Sequence, residues 1–292
     1  MLARIKVAQE VGSLPESKAL RNTRPHRWIA RVKSENSRIK WKALQDSVPC
    51  LHPTHTFQKV MNGPERAVVF SCVHGSPDAN RDENKIDDCN VVLEDLNRFL
   101  DILKPSRVSC EDAAWLNCSL HETLHYTSRA DEQHIQEALV EWDELIEAKT
   151  PVSDDVDFIA RKYKLMGGKW MIFPSRSESD TVWKRLCHAL IVEKSLGGCS
   201  EIKISTASET DDERHVLIAY TDDYSDSQGA FGVASEISRH LQSLRIKMAD
   251  TRMLYKPDIY THLGIYAKNP YNLKPTIYTK DLEYIPTDTK EC

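Results

Sequence analysis

The sequence predicts an α+β fold, with a mainly antiparallel sheet, helices packed on one face and an added helical pair. Two observations support this class. Residues 167–266 alternate short apolar runs with amphipathic helical patterns in the order β-α-β-β-α-β. Apolar residues make up 40% of the 292-residue chain, which is enough for a substantial core. We expect a basic arm over residues 1–45 and one domain over residues 46–292.

The arm is rich in positive charge. Residues 1–44 contain eleven lysines and arginines against three glutamates, although the whole chain has a net charge of −5. Arg24, Arg27 and Arg31 flank Trp28, and this mixture of cations and an aromatic ring is typical of proteins that bind single-stranded nucleic acid. The alternative interpretation is a solvated basic tail, partly disordered or helical.

The middle of the chain predicts a strand within residues 65–73 and a helix over residues 91–103. Residues 105–151 predict two inserted helices. The second of these places Ile135, Leu139, Trp142 and Ile146 on one stripe. This inserted pair is a candidate surface for a protein partner. A shorter helix over residues 156–163 precedes the β-α-β-β-α-β block.

A metal-binding pattern also falls in this insertion. His121 and His125 have the H-E-x-x-H spacing, which places two imidazoles one helical turn apart, and Glu122 takes the position of a general base. Glu144 lies at the spacing of a third zinc ligand. The alternative interpretation is two surface or core histidines and a solvated glutamate.

The block over residues 167–266 has recognisable element boundaries. A strand over residues 169–173 leads to a helix capped by Ser177 or Ser179. Runs over residues 201–206 and 215–220 predict an antiparallel hairpin, a second helix begins near Asp226 or Ser227, and an extended segment follows over residues 246–248.

Two stretches in this block carry a family resemblance. Gly168-Lys169-Trp170 and residues 255–266 resemble the family of the basophilic leukaemia-expressed protein, and the block as a whole is similar to the C-terminal half of initiation factor 4E. The resemblance implies a 4E-like fold with a curved sheet. Initiation factor 4E stacks a methylated guanine between two tryptophans, reads its edge with a glutamate and holds its phosphates with basic side chains.

Those 4E roles do not transfer well to this sequence. Ile159 and Ala160 stand near the positions of the second tryptophan and the glutamate, and Thr206 replaces a phosphate-binding arginine. Arg214 or His215 can occupy the place of the second basic residue. We therefore expect a ligand site without the familiar tryptophan pair.

A different set of residues is suited to an open sheet face. Lys203 alternates with the apolar residues of its strand and is predicted to point away from the helices. The candidate ligand-binding residues combine cationic and aromatic side chains suited to a base and a phosphate, namely Lys203, Arg214, His215, Lys256, Tyr260 and His262. The alternative interpretation is that Tyr260 packs in the core and His262 bonds a backbone carbonyl.

Composition restricts the remaining classes. The eight cysteines include no C-x-x-C pair, the N-terminus leads into no apolar signal segment, and no apolar run reaches the roughly eighteen residues of a membrane span. We expect a non-enzymatic cytoplasmic protein, with the nucleus left open, that binds RNA or a nucleotide-like ligand and needs no cofactor. The alternatives are a zinc metallopeptidase that uses His121, His125 and Glu144, and a protein-interaction scaffold.

Overall fold

The computed structural model describes residues 55–60, 67–72, 85–120, 132–207, 214–244, 248, 250 and 252–282. All of them belong to one unit, Glu35–Cys292. The predicted basic arm lies outside the described residues, so its boundary stays a prediction. Within the described part of the chain, no helix combines the length and the apolar composition that crossing a bilayer requires.

The described elements are eight strands and six helices. The strands are β1 (His55–Val60), β2 (Ala67–Cys72), β3 (Trp115–Ser119), β4 (Gly168–Ile172), β5 (Cys199–Ser205), β6 (Leu217–Thr221), β7 (Arg252–Pro257) and β8 (Tyr278–Asp281). The helices are α1 (Lys85–Ile102), α2 (Glu132–Ala148), α3 (Ser153–Lys162), α4 (Arg176–Ile191), α5 (Ser227–Ser243) and α6 (Asp258–His262).

The strands form one sheet in the order β1-β2-β3-β5-β6-β4-β7-β8. Only the β2–β3 pair is parallel among these neighbours, and the other six pairs are antiparallel. The predicted class, α+β with a mainly antiparallel sheet, is therefore confirmed.

One face of this sheet is apolar and is covered by helices. Residues that are paired across neighbouring strands share a face, and one such row runs Phe70, Cys118, Ile202, Ala219, Trp170, Tyr255. Phe70 contacts Phe99 of α1 at a centroid distance of 5.4 Å. Trp170 is fully buried and its Nε1 donates to the Ala230 carbonyl of α5 at 2.7 Å. We call this side the covered face and the opposite side the open face.

The ends of α4 and α5 follow from local capping. The Ser175 N–H donates to Glu178 Oε2 at 2.7 Å, so α4 begins earlier than the predicted Ser177 or Ser179 cap. Ser179 is buried and its hydroxyl donates to the Arg176 carbonyl within the first turn. Asp226 caps α5 as predicted, because its Oδ1 accepts from the Gly229 N–H at 2.9 Å.

Gly168 allows a close approach between β4 and β7. A Cβ built at this position would lie 2.2 Å from the Tyr255 hydroxyl oxygen, which also contacts the Thr221 hydroxyl at 2.6 Å. A larger residue would have to displace a buried tyrosine. The glycine in Gly168-Lys169-Trp170 is thus explained by packing.

The insertion over residues 105–151 differs from the expected pair of helices. Its second predicted helix is α2, with Ala138 and Trp142 buried, but Trp115–Ser119 forms the strand β3. This strand pairs with β2 on one side and β5 on the other, so hydrogen bonds to distant segments determine its conformation. The second predicted helix is therefore present and β3 is a strand that was not predicted, while residues 121–131 lie outside the described residues, so a first helix there stays a prediction.

The last strand of the β-α-β-β-α-β block also lies elsewhere. We predicted extended structure over residues 246–248, of which 246 and 247 fall outside the described residues. The strand that pairs with β4 is β7 (Arg252–Pro257). The two edge strands, β1 and β8, were not predicted.

Candidate functional site

The open face carries a cleft of about 860 Å³. Its floor comes from β3, β4, β5 and β6, and its walls come from the start of α2, the connection between α3 and β4, and α6. The residues used below are Trp115, Lys169, Lys203, Tyr220, Asp258, Thr261 and His262. A volume in this range is typical of small-molecule sites.

An aromatic and cationic group forms one part of the cleft. The Lys203 Nζ lies 4.4 Å from the centroid of the Trp115 ring and 5.6 Å from that of Tyr220. Lys203 and Tyr220 are buried, whereas Trp115 is partly exposed to the cleft. The strand register explains why Lys203 contacts Trp115. Lys203 of β5 pairs with Asn117 of β3, and Asn117 lies two residues after Trp115, so all three side chains share one face. This group can contact both a planar ring and an anion.

Polar side chains extend from this group along the open face. Asn117 is buried, and its Nδ2 donates to Glu201 Oε1 at 3.2 Å. Within the described residues the Asn117 Oδ1 atom is buried without a hydrogen-bond partner. A buried polar atom of this kind is uncommon in folded proteins.

A buried ion pair forms the other part of the cleft. The Lys169 Nζ donates to Asp258 Oδ1 at 2.7 Å and to Thr261 Oγ1 at 3.1 Å. Lys169 belongs to β4 and its partners belong to α6, so the pair joins the sheet to this short helix. The Asp258 N–H also donates to the Gly167 carbonyl at 2.9 Å, which holds the start of α6 against β4.

A second buried lysine stands beside this ion pair. Lys256 pairs directly with Lys169 across β7 and β4, and only 5% of its surface is exposed. Its Nζ lies 3.8 Å from the centroid of the Tyr266 ring. Burial and the neighbouring Lys169 ammonium lower the pKa of Lys256 to about 8. The negative charge of Asp258 acts in the opposite direction, but its effect is smaller.

His262 lies at the rim of the cleft and is exposed. Desolvation by the surrounding protein lowers the pKa of its imidazole, Asp258 acts in the opposite direction, and Lys169 lowers it further. The lowered pKa favours the neutral form of the His262 ring, which can donate one hydrogen bond and accept another at the entrance.

The structure brings together two of the six predicted ligand-binding residues in the cleft, Lys203 and His262. Arg214 is instead half exposed and pairs with Asp250 at 2.8 Å. His215 is buried, and its Nδ1 contacts the Ser205 carbonyl at 2.6 Å. Tyr260 is 3% exposed in the core, as its alternative interpretation predicted. Lys256 does not line the cleft; it pairs with Lys169 across β7 and β4, and its Nζ contacts the Tyr266 ring.

Other predicted site residues cannot be placed in the cleft. The nucleic-acid arm residues Arg24, Arg27, Trp28 and Arg31 lie outside the described residues, as do His121 and His125. Glu144 is described and is exposed on α2. Across the described residues, no three histidine, cysteine or acidic side chains are grouped as a metal site. Zinc binding through the H-E-x-x-H pattern therefore stays a prediction.

The sequence analysis missed Trp115, Lys169, Tyr220, Asp258 and Thr261. One signal could have identified part of this set. Lys169, like the predicted Lys203 and Lys256, stands next to a buried apolar or aromatic residue inside a strand, so it must point to the opposite face. Trp115 carried no such signal, because its strand was predicted to be helical.

The part of the chain that matches a known protein family contains most of this site. The model of the family described as basophilic leukemia-expressed protein Bles03 matches residues 119–264, which is half of the chain. The match includes every cleft residue named above except Trp115. It thus agrees with the resemblance that the sequence motifs indicate.

Three solved structures are similar to part of the chain. The first is C. elegans eIF4E-3 in complex with the 4E-binding protein Mextli and a cap analog, at 14% identity over 33% of this chain and 53% of that chain, with a TM-score of 0.28. The second is Ascaris suum eIF4E-3 with the m2,2,7G cap, at 11% identity over 39% of this chain and 58% of that chain, with a TM-score of 0.29. The third is a schistosome eIF4E with m7GpppA and 4E-BP, at 14% identity over 41% of this chain and 61% of that chain, with a TM-score of 0.30. The chain thus spans between half and two thirds of the length of each.

Proposed function

This chain belongs to the family of basophilic leukemia-expressed protein Bles03, and we propose that it is a non-enzymatic binding protein whose open-face cleft holds a nucleotide-like ligand. The observation that supports this most strongly is the Lys203 ammonium, 4.4 Å from the ring centroid of a partly exposed tryptophan in a cleft of about 860 Å³.

The proposal follows from the chemistry of the cleft lining. Trp115 offers a ring face on which a base can stack, and such stacking contributes about 1–3 kcal/mol per base. Lys203 supplies a buried positive charge beside that ring, which favours a ligand that carries both a ring and an anionic group. Hydrogen-bonding groups of Asp258, Thr261 and His262 lie at the α6 end of the same cleft.

A titration with nucleotides tests the proposal. The 5′-monophosphates of adenosine, guanosine, cytidine and uridine are added to the full chain, and binding is followed by calorimetry. We expect Trp115→Ala to weaken binding by about tenfold or more, because it removes the stacking surface. Trp115→Phe keeps a ring and should retain most of the affinity.

Phe158→Ala is the matched control. Phe158 is 61% exposed on α3 and does not line the cleft, so its removal deletes an exposed aromatic ring elsewhere. Equal affinities for Trp115→Ala and Phe158→Ala would contradict a stacking role for Trp115. Absence of binding by all four nucleotides would contradict the proposed function itself.

We propose separately that the basic arm strengthens binding of single-stranded RNA. The support is the sequence alone, in which Arg24, Arg27 and Arg31 surround Trp28. Binding of an oligouridine should weaken as salt rises, and replacement of the three arginines by alanine should lower both the affinity and the salt dependence. An unchanged affinity in the triple variant would exclude the arm from RNA binding.

A further inference from the structure

Two buried lysines face the open side of the sheet, and one carboxylate, Asp258, lies near them. Lys169 is 8% exposed and Lys256 is 5% exposed, and they are paired residues on neighbouring strands. Asp258 is hydrogen-bonded to Lys169. Charged side chains are rarely this buried unless they are paired with an opposite charge. The three residues together leave one positive charge without a counterion in the described structure.

Lys256 in particular lacks a hydrogen-bond acceptor among the described residues. Its Nζ contact is the ring of Tyr266, which is 54% exposed. The ring favours a cation but accepts no conventional hydrogen bond, so the three N–H donors of the ammonium remain available. An ammonium held in this state, away from water and without an acceptor, is prepared to bind an oxyanion.

Lys169 connects this ammonium to the cleft. Two of its N–H groups donate to Asp258 and Thr261, which leaves the third without an acceptor among the described residues. Lys169, Thr261 and the exposed His262 all line the cleft, so an anion that enters there meets Lys169 first. The low pKa of Lys256 agrees with this arrangement, since burial and the neighbouring Lys169 both disfavour its charge while no anion is bound.

We propose that Lys169, which lines the α6 end of the cleft, and Lys256, its partner on β7, together form an anion-binding subsite that takes the phosphate monoester group of the ligand. A phosphate monoester carries a charge close to −2 and three acceptor oxygens, which suits two ammonium groups with unused donors. The identification of the ligand as a nucleoside monophosphate rests on the proposed function. The anion subsite itself rests only on the lysine geometry.

The first test compares each nucleoside with its 5′-monophosphate. Both bind through the base, but only the monophosphate reaches the subsite, so we expect it to bind the wild-type protein about tenfold or more tightly. Lys256→Met should remove this difference and leave nucleoside binding unchanged. Lys274→Met is the control, because Lys274 is an exposed lysine outside the cleft and its removal changes the net charge equally.

The second test uses inorganic phosphate alone and needs no nucleotide. Isotope-labelled lysine side chains are titrated by NMR with and without phosphate. Bound phosphate stabilises the charged form of Lys256, so its pKa should be higher in the sample with phosphate than in the sample without it. Lys274 should titrate identically in both samples. This measurement is made on the wild-type protein and does not depend on the folding of a variant.

The outcomes separate the two proposals. Equal binding of nucleosides and monophosphates, with no effect of phosphate on Lys256, overturns the subsite and leaves the proposed function standing. If no nucleoside or nucleotide binds but phosphate raises the pKa of Lys256, the proposed function is overturned and the subsite stands. If neither occurs, both are overturned. A nucleotide preference that survives in Lys256→Met also contradicts the subsite.

Discussion

The covered face and the open face of the sheet bury their central side chains to a similar degree, but their chemistry is opposite. On the covered face Trp170 and Ala219 are fully buried among apolar neighbours. On the open face Lys169, Lys203 and Lys256 are only 5–8% exposed. The comparison teaches that a low exposure does not by itself identify a core, because buried ammonium groups require counterions or ligands whereas apolar side chains do not.

The largest expected effect is on the covered face. Trp170→Ala should lower the free energy of unfolding by about 3–5 kcal/mol, because it removes a fully buried ring and the hydrogen bond to the Ala230 carbonyl. Trp115→Ala should cost less than about 1 kcal/mol, since Trp115 is partly exposed in the cleft. Chemical denaturation measures both. Equal losses would show that the open face is as much a core as the covered face.

The second-largest loss of stability is expected at Asp258, the carboxylate that lies near Lys169 and Lys256. Asp258→Asn should lower the free energy of unfolding by about 2–4 kcal/mol, since it leaves Lys169 and Lys256 buried without a negative charge. Asp101→Asn is the control, because Asp101 is 66% exposed and its pair with Lys184 spans 3.6 Å at the surface. If the two variants unfold at the same denaturant concentration, Asp258 is not the counterion of the open face.

A stabilising change is expected at Lys256. Lys256→Met removes a buried charge but keeps the apolar stem, so it should raise the free energy of unfolding by about 1–3 kcal/mol at pH 7. The pKa of Lys256 is lowered from 10.5 to about 8 in the folded protein. The unfolded chain therefore binds more protons than the folded one between these values, and the stability of the wild type rises with pH across this interval.

This linkage makes the gain from Lys256→Met dependent on pH. The difference between variant and wild type should be largest below pH 8 and should shrink as the pH rises towards 10.5, which thermal or chemical denaturation at several pH values can follow. Lys274→Met should show no such dependence. A Lys256→Met variant that is less stable than the wild type at pH 7 would mean that Lys256 is already neutralised by a bound anion or another group.

The smallest effect is expected at Arg214, which the sequence analysis placed among the ligand-binding residues. Its side chain is 51% exposed and pairs with Asp250 at the surface. Arg214→Ala should change the free energy of unfolding by less than about 0.5 kcal/mol and should leave nucleotide affinity unchanged. A loss of affinity similar to that of Trp115→Ala would show instead that Arg214 reaches the ligand in solution.

Elements with a clear local pattern were predicted well from the sequence. The apolar run that contains Trp170 became β4, and the helical stripe of Trp142 became α2. The strand β3 was missed because its short run of residues has no strong strand pattern and obtains its hydrogen bonds from β2 and β5, both far away in the chain. The cap at Ser175 was missed because two nearby serines offered the same local chemistry.

The candidate site was predicted less completely, because part of it depends on pairing between strands that are far apart in the chain. Lys203 was identified because period-two alternation is visible within its own strand. Trp115 was not, since its place beside Lys203 depends on the pairing of β3 with β5. Arg214 and His215 were expected in the site because the 4E resemblance implies a second basic residue at this place, but one pairs with Asp250 and the other with a backbone carbonyl.

The sequence by itself determined the family, the α+β class and the direction in which each lysine leaves its strand, because alternation along a strand is a local property of the backbone. The tertiary structure alone decided that Lys169 stands beside Lys256, that Asp258 is hydrogen-bonded to Lys169, and that Trp115 completes the cleft. These neighbours come from strand order and register, which hydrogen bonds and packing between distant segments determine together.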